Sequence, residues 1–551
     1  MIQGTKIIER AQEAYQYPLL LKQLLHTPII YSPDQEIVYR DTKRFTYREF
    51  YSRAKKLASG LGTLGVGPGD VVAFLDWDSY RYLEAYFSVP GVGSVLHCVN
   101  VRLSPEQILF TMKHAEDTVV FVHQDFVPLI EPIMNQMPSV KTWILMKENA
   151  EAEIKSTIPF ACEYEELLAK GTDDYEYPDF DENSMATMFY TTGTTGDPKG
   201  VYFSHRQLVL HTLGMLVSTS ALSARPLSKV GDVYMPITPM FHVHAWGVPF
   251  ASTLLGVKQV YPGRYEPEML LKLLVKEKVT FSHCVPTILQ MLIGSPAIKQ
   301  VNLKGWKVII GGSALPRGLA RAAMDLGIDI YTGYGMSETC PLLSLTNLKP
   351  EMIDADLEYQ LDIRTSTGRA VPLVDLRVVD HNMNPQPMDG KSTGEIVVRA
   401  PWLTQGYFKS PEKGDDLWKG GYLHTGDVAY INPDGYIKIT DRIKDVIKTG
   451  GEWVSSLEME SLISQHPAVA EVAVVGVPDD KWGERPLAMV VPSSGDLQNF
   501  PVEDVRRFMM KFVEEGSISK YYIPDQFLVV DSIPKTSVGK LDKKVIRQKV
   551  K

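Results

Sequence analysis

An α/β fold is predicted by three features of the 551-residue sequence. Apolar segments of strand length alternate with amphipathic helical segments, which favours layered α/β/α subdomains with largely parallel sheets. Turn signals and short β segments become dense in residues 360–440, where we expect a small β subdomain. A compact α+β pattern follows. We therefore expect an N-terminal domain at 1–440, a hinge or linker at 441–448 and a small mobile C-terminal domain at 449–551.

The individual elements follow from capping signals and hydrophobic patterns. Thr46 with Glu49 and Ser104 with Gln107 form capping boxes, each of which opens a helix. Further helices are expected at residues 204–216, 316–327, 455–465 and 502–515. Strands are expected at residues 70–77, 94–100, 118–123, 279–286, 307–312, 468–477, 487–492 and 526–530.

Composition and charge limit the classes of function. The formal net charge of −9 argues against nucleic acid or an anionic membrane as the main partner. The four cysteines are scattered without a CxxC pair, which suits a reducing cytoplasm and predicts neither a disulfide framework nor a zinc site. Charges interrupt the N-terminal segment, and prolines and histidines interrupt residues 233–257. We therefore expect a cytoplasmic protein with at most peripheral membrane contact.

Residues 190–200, YTTGTTGDPKG, combine four Thr, three Gly and Lys199 between two apolar segments. Glycine lets backbone N–H groups converge on an anion, while Thr hydroxyls add donors and the lysine adds charge. The segment therefore suits phosphate binding, although it does not fit the common P-loop pattern. A solvated loop is the alternative, because Gly and Thr are also frequent in linkers.

Four further polar clusters follow along the chain. In YTGYGMSETC, Tyr334 suits stacking on a base, and the Glu338 carboxylate suits Mg²⁺ held beside phosphate oxygens. In YLHTGDVAY, the Asp427 carboxylate can accept both hydroxyl protons of a ribose. The other two are DRIKDVIKTGGEW, at the predicted domain boundary, and IPKTSVGKLDKK, which carries Lys540. For each cluster alone, a turn or a solvated charged face is the alternative.

The order of these clusters resembles that of AMP-forming acyl-CoA synthetases in the adenylate-forming superfamily, with the strongest likeness to bacterial and archaeal fatty acyl-CoA synthetases. The resemblance runs from LEAYFSVPGVGSVLHCVNVRLSPEQI through TPMFHVHAWGVPF, GGSALPRG, TGYGMSET, LHTGDVAY and DRIKDVIKTGGEWVSS to PKTSVGK. Such enzymes activate a carboxylic acid with Mg-ATP and release pyrophosphate. CoA then attacks the acyl-adenylate, giving acyl-CoA and AMP. The resemblance thus implies ATP, CoA and Mg²⁺ as cofactors, small molecules as partners and a homodimer as one form of assembly.

The resemblance also implies roles for individual residues. It makes Lys540, His242 and Arg442 catalytic, with the Lys540 ammonium offsetting charge that develops during adenylation. Thr194 and Glu338 would hold Mg²⁺, and Asp441 would be the hinge. The implied CoA tunnel is lined by Gly450, Gly451 and Glu452. The implied ATP- and AMP-binding residues are Thr191, Thr194, Thr195, Lys199, Gly312, Thr332, Gly333, Tyr334, Ser337, Asp427, Arg442, Lys444, Lys448 and Trp453.

The segment MFHVHAW matches the acyl site of the resembled family. His242 and Val243 correspond to positions beside the reacting carboxylate, and Trp246 corresponds to an aromatic gate of the acyl tunnel. A metal site on the HxH pair is the alternative, but no third ligand lies nearby in sequence. Two departures stand out: Ser337 replaces a commoner Thr while keeping the hydroxyl, and His244 replaces another polar residue.

A medium- or long-chain fatty acid is the expected substrate, with a short substituted acid such as methylthiopropionate or hydroxypropionate as the alternative. An amino-acid-activating domain of a peptide synthetase is disfavoured, because FHVHAW offers no acidic residue for a substrate amine. Only overall likeness disfavours a luciferase-like oxygenase. A catalytically inactive nucleotide-binding or scaffold protein is disfavoured because Glu338, Asp427 and Lys540 are all present.

Overall fold

Four β-sheets organise the part of the chain described by this computed structural model, which is residues 5–149, 151–191, 197–222, 226–449 and 452–550. The strands, in chain order, are β1 (Glu36–Tyr39), β2 (Lys43–Thr46), β3 (Val71–Leu75), β4 (Val95–Cys98), β5 (Val119–His123), β6 (Thr142–Met146), β7 (Phe160–Glu163), β8 (Met185–Thr191), β9 (Lys199–Ser204), β10 (Val233–Ile237), β11 (Lys258–Tyr261), β12 (Phe281–Cys284), β13 (Lys307–Ile310), β14 (Asp329–Gly335), β15 (Leu342–Leu345), β16 (Arg369–Ala370), β17 (Asp375–Val379), β18 (Gly394–Arg399), β19 (Leu423–Ile431), β20 (Ile437–Arg442), β21 (Ile447–Thr449), β22 (Glu452–Val454), β23 (Val469–Asp479), β24 (Gly483–Pro492) and β25 (Gln526–Val529).

Helices cover these sheets. In chain order they are α1 (His26–Tyr31), α2 (Tyr47–Thr63), α3 (Tyr80–Gly91), α4 (Pro105–Ala115), α5 (Val127–Ile130), α6 (Tyr164–Lys170), α7 (His205–Ser220), the single turn α8 (Val243–Trp246), α9 (Val248–Leu255), α10 (Pro267–Lys276), α11 (Pro286–Ile293), α12 (Arg317–Asp325), α13 (Leu357–Arg364), α14 (Pro411–Leu417), α15 (Ser456–Ile463), α16 (Val502–Glu514) and α17 (Lys543–Lys549).

The predicted capping boxes begin α2 and α4. In α2, the Thr46 hydroxyl accepts a hydrogen bond from the Glu49 amide, and the Glu49 carboxylate accepts one from the Thr46 amide. Ser104 and Gln107 form the same reciprocal pair in α4. Each pair satisfies two amides that a helix start leaves without partners, so the helix begins at that residue.

Two large sheets form the body of the N-terminal region. One has seven strands in the order β7-β6-β5-β3-β4-β8-β9, all parallel except β9. The other has nine strands in the order β16-β15-β14-β13-β12-β10-β11-β1-β2, with a parallel centre from β14 to β1. Ligand sites in such sheets lie beyond the carboxyl ends of the strands. The segments that follow β12, β13 and β14 are therefore placed to form a site.

Two smaller sheets complete the fold. The antiparallel sheet β17-β18-β19-β20 begins at Asp375, because residues 357–364 form α13 rather than a strand. In the C-terminal region β21, β22, β23 and β24 pair antiparallel, β25 adds to β24 in parallel, and α15, α16 and α17 belong to the same unit. This large α/β N-terminal part with a smaller α+β part confirms the predicted fold class.

The cysteine side chains are buried and free, at Cys98, Cys162, Cys284 and Cys340. Among the residues that the structure describes, no helix combines the length and the apolar character needed to cross a bilayer.

Candidate active site

Lys540 contacts the end of the nine-stranded sheet, where Gly312 follows β13. A Cβ on Gly312 would lie 3.1 Å from the Lys540 Cε and 3.1 Å from the Val285 Cγ1. The Gly312 φ of +81° is also in the left-handed region. The backbone conformation favours glycine at this position, and a Cβ there would crowd the lysine side chain. The lysine loop of the C-terminal region is therefore docked on the large N-terminal sheet.

The charges around Lys540 come from three of the polar clusters in the sequence. Burial and, to a smaller extent, the positive charge of Arg442 lower the pKa of Lys540 to about 8, although the charges of Asp427 and Glu338 act in the opposite direction. Glu338, the Asp427–Arg442 pair and Lys540 lie far apart in sequence. The fold brings them into one electrostatic environment.

Asp427 lies at the centre of the second group of contacts. Its Oδ2 accepts a hydrogen bond of 2.7 Å from the Tyr334 hydroxyl, and its Oδ1 accepts one of 3.0 Å from the Arg442 Nε. Asp427 and Arg442 are direct partners in the antiparallel register of β19 and β20. Each carboxylate oxygen keeps a second lone pair that can accept a ligand hydroxyl. The arrangement thus fits a ribose beside an aromatic ring.

Glu338 is held by a tyrosine that the sequence analysis did not identify. The Tyr407 hydroxyl donates to the Glu338 Oε1 at 2.7 Å, and the Glu338 carbonyl accepts from the Thr404 amide at 2.9 Å. The Lys199 ammonium lies 4.5 Å from the centre of the Tyr407 ring, a cation–π distance. Tyr407 thus joins the last part of the Thr/Gly segment to the predicted magnesium ligand.

Three predicted residues, Thr332, Gly333 and Ser337, flank Tyr334 and Glu338 in the chain. The Thr332 hydroxyl donates to the Arg364 carbonyl at 2.6 Å, so it is already engaged within the protein. A Cβ on Gly333 would lie 3.1 Å from the Ile309 Cγ2. Ser337 begins the short 3-10 turn Ser337–Thr339 that presents Glu338. These residues therefore position Tyr334 and Glu338.

The predicted gate Trp246 is carried by a left-handed turn. Four consecutive residues, Val243–Trp246, have φ values between +47° and +58°. Left-handed backbone costs about 1–2 kcal/mol for each residue other than glycine. The Trp246 indole packs close to Gly311 and 5.0 Å from the His283 ring, and it is 8% exposed. Such local strain is typical of functional segments.

The two histidines of the HxH pair have different surroundings. Burial, together with the charges of Lys540 and Arg102, lowers the pKa of His242 to about 3, so its imidazole is neutral at pH 7. The His244 Nε2 lies 2.8 Å from the Thr187 Oγ1, within a group of aromatic rings. Among the described residues, no group of three or more His, Cys, Asp or Glu could hold a metal ion.

Asp441 is enclosed at the junction of the two regions. Its Oδ2 accepts hydrogen bonds from the Ser456 amide at 2.6 Å and the Ser456 hydroxyl at 2.7 Å. Lys543 in turn donates to the Ser456 Oγ at 2.6 Å. Burial raises the pKa of Asp441, while the Lys543 charge opposes this shift. This carboxylate therefore fixes the start of α15 against the end of β20.

The other predicted residues are described to different extents. Thr191 ends β8. Partial burial and the Arg442 charge lower the pKa of Lys444, and the Lys448 amide donates to the Glu484 carboxylate at 2.9 Å. Glu452 and Trp453 lie in β22, where only their backbone is described. The predicted residues Thr194, Thr195, Gly450 and Gly451 lie outside the described residues.

Comparison with known proteins places the chain in a family. The profile of the family described as AMP-binding enzyme matches residues 31–408, and that of the AMP-binding enzyme C-terminal domain matches residues 458–540. A long-chain-fatty-acid–CoA ligase of Thermus thermophilus is 41% identical and covers 94% of this chain and 93% of its own length. A 3-methylmercaptopropionyl-CoA ligase of Ruegeria lacuscaerulensis is 37% identical and covers 97% and 98%.

A solved structure supports the fold. The anthranilate CoA ligase AuaEII, in complex with anthranoyl-AMP, superimposes with a TM-score of 0.85 at 23% identity, over 97% of this chain and 98% of that one. The first family profile spans the segments that carry Lys199 and Glu338, and the second ends at Lys540. The chain therefore belongs to the AMP-binding enzyme family, as an AMP-forming acyl-CoA synthetase.

Proposed function

We propose that the protein is a fatty acid–CoA ligase that acts on a medium- or long-chain acid. It would activate the acid with ATP to an acyl-adenylate, release pyrophosphate, and transfer the acyl group to CoA. The observation that carries this proposal is the docking of Lys540 on Gly312, in one charged environment with Asp427 and Glu338. The full-length similarity to the long-chain ligase of Thermus thermophilus supports the choice of acid.

A short substituted acid is the second candidate substrate. The similarity to the 3-methylmercaptopropionyl-CoA ligase extends over 97% of this chain and favours this alternative. Both candidates share the adenylate chemistry and differ in the acyl group that the site has to bind. A panel of acids from C3 to C18 with methylthio- and hydroxypropionate, scored by CoA-dependent AMP release, tests both. Preference for an amino acid or an aromatic acid would refute the proposal.

In the first half-reaction, we assign substrate binding to the contacts around Asp427. Tyr334 would stack on adenine, while the Asp427 carboxylate would accept hydrogen bonds from the ribose hydroxyls and Arg442 would reach the ribose or phosphate. The Lys540 ammonium would lie between the acid and the α-phosphate, where it stabilises the charge that develops as pyrophosphate leaves. Neutral His242 would contact the carboxylate without adding a second positive charge.

The residues present fit the implied magnesium ion. Glu338 supplies an anionic oxygen in a largely buried position, and Tyr407 holds that carboxylate at a fixed orientation. We assign Thr194 as the second protein ligand, and oxygen ligands of this type with phosphate oxygens are the set that Mg²⁺ prefers. When bound, the ion would neutralise charge on the ATP phosphates.

We propose that residues 441–448 act as the linker about which the C-terminal domain at 449–551 rotates between the half-reactions. The docked Lys540 loop corresponds to the arrangement required for adenylation. Rotation would break the Asp441 contacts to Ser456 and bring Gly450, Gly451 and Glu452 to the CoA tunnel. We also propose a cytoplasmic homodimer, which fractionation and light scattering after size exclusion test.

Replacing Trp246 with Ala tests the proposed gate. We expect activity with fatty acids to rise at low ATP, or the binding order of ATP before acid to be lost, because the indole no longer closes the acyl site. Trp402 is the matched control, since it is fully buried in the core. The Trp402→Ala variant should lose about 3–5 kcal/mol of stability.

Melting temperatures and substrate order are to be measured on both tryptophan variants. The gate assignment requires a clearly smaller drop in melting temperature for Trp246→Ala than for Trp402→Ala. Severe destabilisation of Trp246→Ala, with unchanged substrate order, would instead make Trp246 a packing residue.

The pH dependence of adenylation should report the charge of Lys540. Its pKa of about 8 means that the ammonium is present below this pH and is lost above it. The kcat/KM for ATP in pyrophosphate exchange should therefore fall about tenfold per unit above pH 8, since this parameter reports groups in the free enzyme. Lys540→Arg keeps its charge and should lack that falling limb. A flat wild-type profile up to pH 9.5 would contradict the assigned role.

A further inference from the structure

The Lys540 loop is a closed turn with its own hydrogen bonds. The Thr536 amide donates to the Lys540 carbonyl at 2.7 Å, and the Gly539 amide donates to the Thr536 carbonyl at 2.9 Å. The Thr536 hydroxyl also accepts from the Lys540 amide at 3.2 Å. Residues 536–540 therefore form a small unit that can move with the C-terminal region without changing its internal conformation.

Three side chains of the large N-terminal region hold this loop. The Asn100 Nδ2 donates to the Ser537 Oγ at 3.0 Å, and the Thr287 Oγ1 donates to the Gly539 carbonyl at 2.9 Å. The Arg102 Nη1 donates to the Ser537 carbonyl at 3.2 Å. The partners are more than 250 residues away from the loop along the chain. These bonds therefore exist only while the C-terminal region is docked in this orientation.

Asn100 and Thr287 are better placed than Arg102 to orient the loop. Asn100 is 6% exposed, and its Oδ1 accepts from the Arg102 amide, which fixes the amide group toward Ser537. Thr287 approaches so closely that a Cβ on Gly539 would lie 3.1 Å from its Oγ1. The Arg102 side chain is exposed, so solvent screens its contribution.

We propose that Asn100 and Thr287 are positioning residues that hold the lysine loop for the adenylation step alone. The inference rests on the proposed two-step function and identifies what keeps Lys540 at Gly312. Neither residue would touch substrate. Losing one of these bonds would lower the population of the docked orientation, and adenylation would slow in proportion to that population.

Half-reaction kinetics test the assignment. Asn100→Ala, Ser537→Ala and Thr287→Val should each slow ATP–pyrophosphate exchange about three- to tenfold, the effect of one net hydrogen bond. Conversion of supplied acyl-adenylate to acyl-CoA should remain unchanged. The Asn100→Ala/Ser537→Ala double variant should be no slower than the slower single variant, because both remove the same bond. Equal slowing of both half-reactions, or additive single effects, would overturn the proposal.

Thr63→Val is the matched control for Thr287→Val. The Thr63 hydroxyl also donates to a carbonyl, that of Gly60 at 2.7 Å, but this contact lies within the N-terminal region. The control should not alter the ratio of the two half-reaction rates. A changed ratio in Thr63→Val would show that the ratio does not report docking, and the positioning assignment would then fail.

A second measurement needs no substrate acid. Lys540 in the unliganded protein is labelled with an amine-reactive acetylating reagent and quantified by mass spectrometry against Lys535 of the neighbouring segment. Asn100→Ala and Thr287→Val should increase Lys540 labelling about three- to tenfold, as an undocked loop is more accessible. Unchanged labelling would overturn the positioning role even if the fatty acid proposal holds. Increased labelling would support it even if no acid of the panel is activated.

Discussion

Replacing Lys540 with Ala should slow adenylation by about 2–4 kcal/mol of transition-state stabilisation, comparable to the loss of an oxyanion-hole donor. The ammonium matters when a phosphate is the electrophile, because charge then develops beside the α-phosphate. In the second step the CoA sulfur attacks the acyl carbon of the finished acyl-adenylate and AMP leaves, and the proposed rotation of the C-terminal domain has by then moved Lys540 away from Gly312. Thioester formation from supplied acyl-adenylate should therefore continue in Lys540→Ala at close to the wild-type rate.

Lys535→Ala is the control for this prediction. Lys535 lies close to the same loop and pairs with Glu471 at 3.0 Å, outside the contacts of Lys540 with the N-terminal region. Its replacement should leave both half-reactions nearly unchanged. Pyrophosphate exchange and acyl-CoA formation from acyl-adenylate are to be measured on both variants. If Lys540→Ala also blocks the second reaction, the division of roles is wrong.

Local signals in the sequence predicted much of the fold. The capping boxes at Thr46 and Ser104 fix helix starts with bonds between residues three positions apart. The apolar segments at 70–77 and 118–123 became buried strands because parallel sheets exclude polar residues from both faces. Such information is contained within a few residues and can therefore be read without tertiary structure.

Contacts between distant segments could not be predicted in the same way. Tyr407 follows a dense run of turn residues, and nothing in that run indicates that its hydroxyl meets Glu338, which lies 69 residues earlier. The bond from Asn100 to Ser537 joins residues 437 positions apart. The resemblance predicted which polar residues form the site. It did not indicate which side chains orient them.

The left-handed turn at Val243–Trp246 also could not be predicted from the sequence, but for a different reason. Residues other than glycine avoid this backbone region, so the sequence HVHAW gives no local signal for it. Burial of Val243, Ala245 and Trp246 against neighbouring strands offsets the cost in the folded chain. Tertiary packing thus overrides local preference at the segment assigned as the gate.

Glu338→Gln should lower the apparent Mg²⁺ affinity in adenylation by at least about 10- to 100-fold. This is the loss expected when a residue that merely supports a metal ligand is removed, and a ligand itself should matter no less. The change removes the only anionic metal ligand assigned here. Gln keeps the size of Glu and can still accept the hydrogen bond from Tyr407, so the melting temperature should change little. Adenylation rates are to be measured as a function of Mg²⁺ concentration.

Tyr407→Phe and Glu36→Gln separate metal binding by Glu338 from a general effect of charge. Tyr407→Phe keeps the carboxylate but frees its orientation, so it should shift the Mg²⁺ dependence in the same direction by a smaller factor. Glu36 begins β1, beside the edge strand β2 of the nine-stranded sheet, and pairs with Arg44 and Lys258, so its replacement should leave the Mg²⁺ dependence unchanged. Unchanged metal dependence in Glu338→Gln would remove this carboxylate from the metal site. An equal shift in Glu36→Gln would attribute the effect to net charge instead. If Glu338 is the ligand and Tyr407 orients it, the shift in Mg²⁺ dependence should be largest for Glu338→Gln, smaller for Tyr407→Phe and absent for Glu36→Gln.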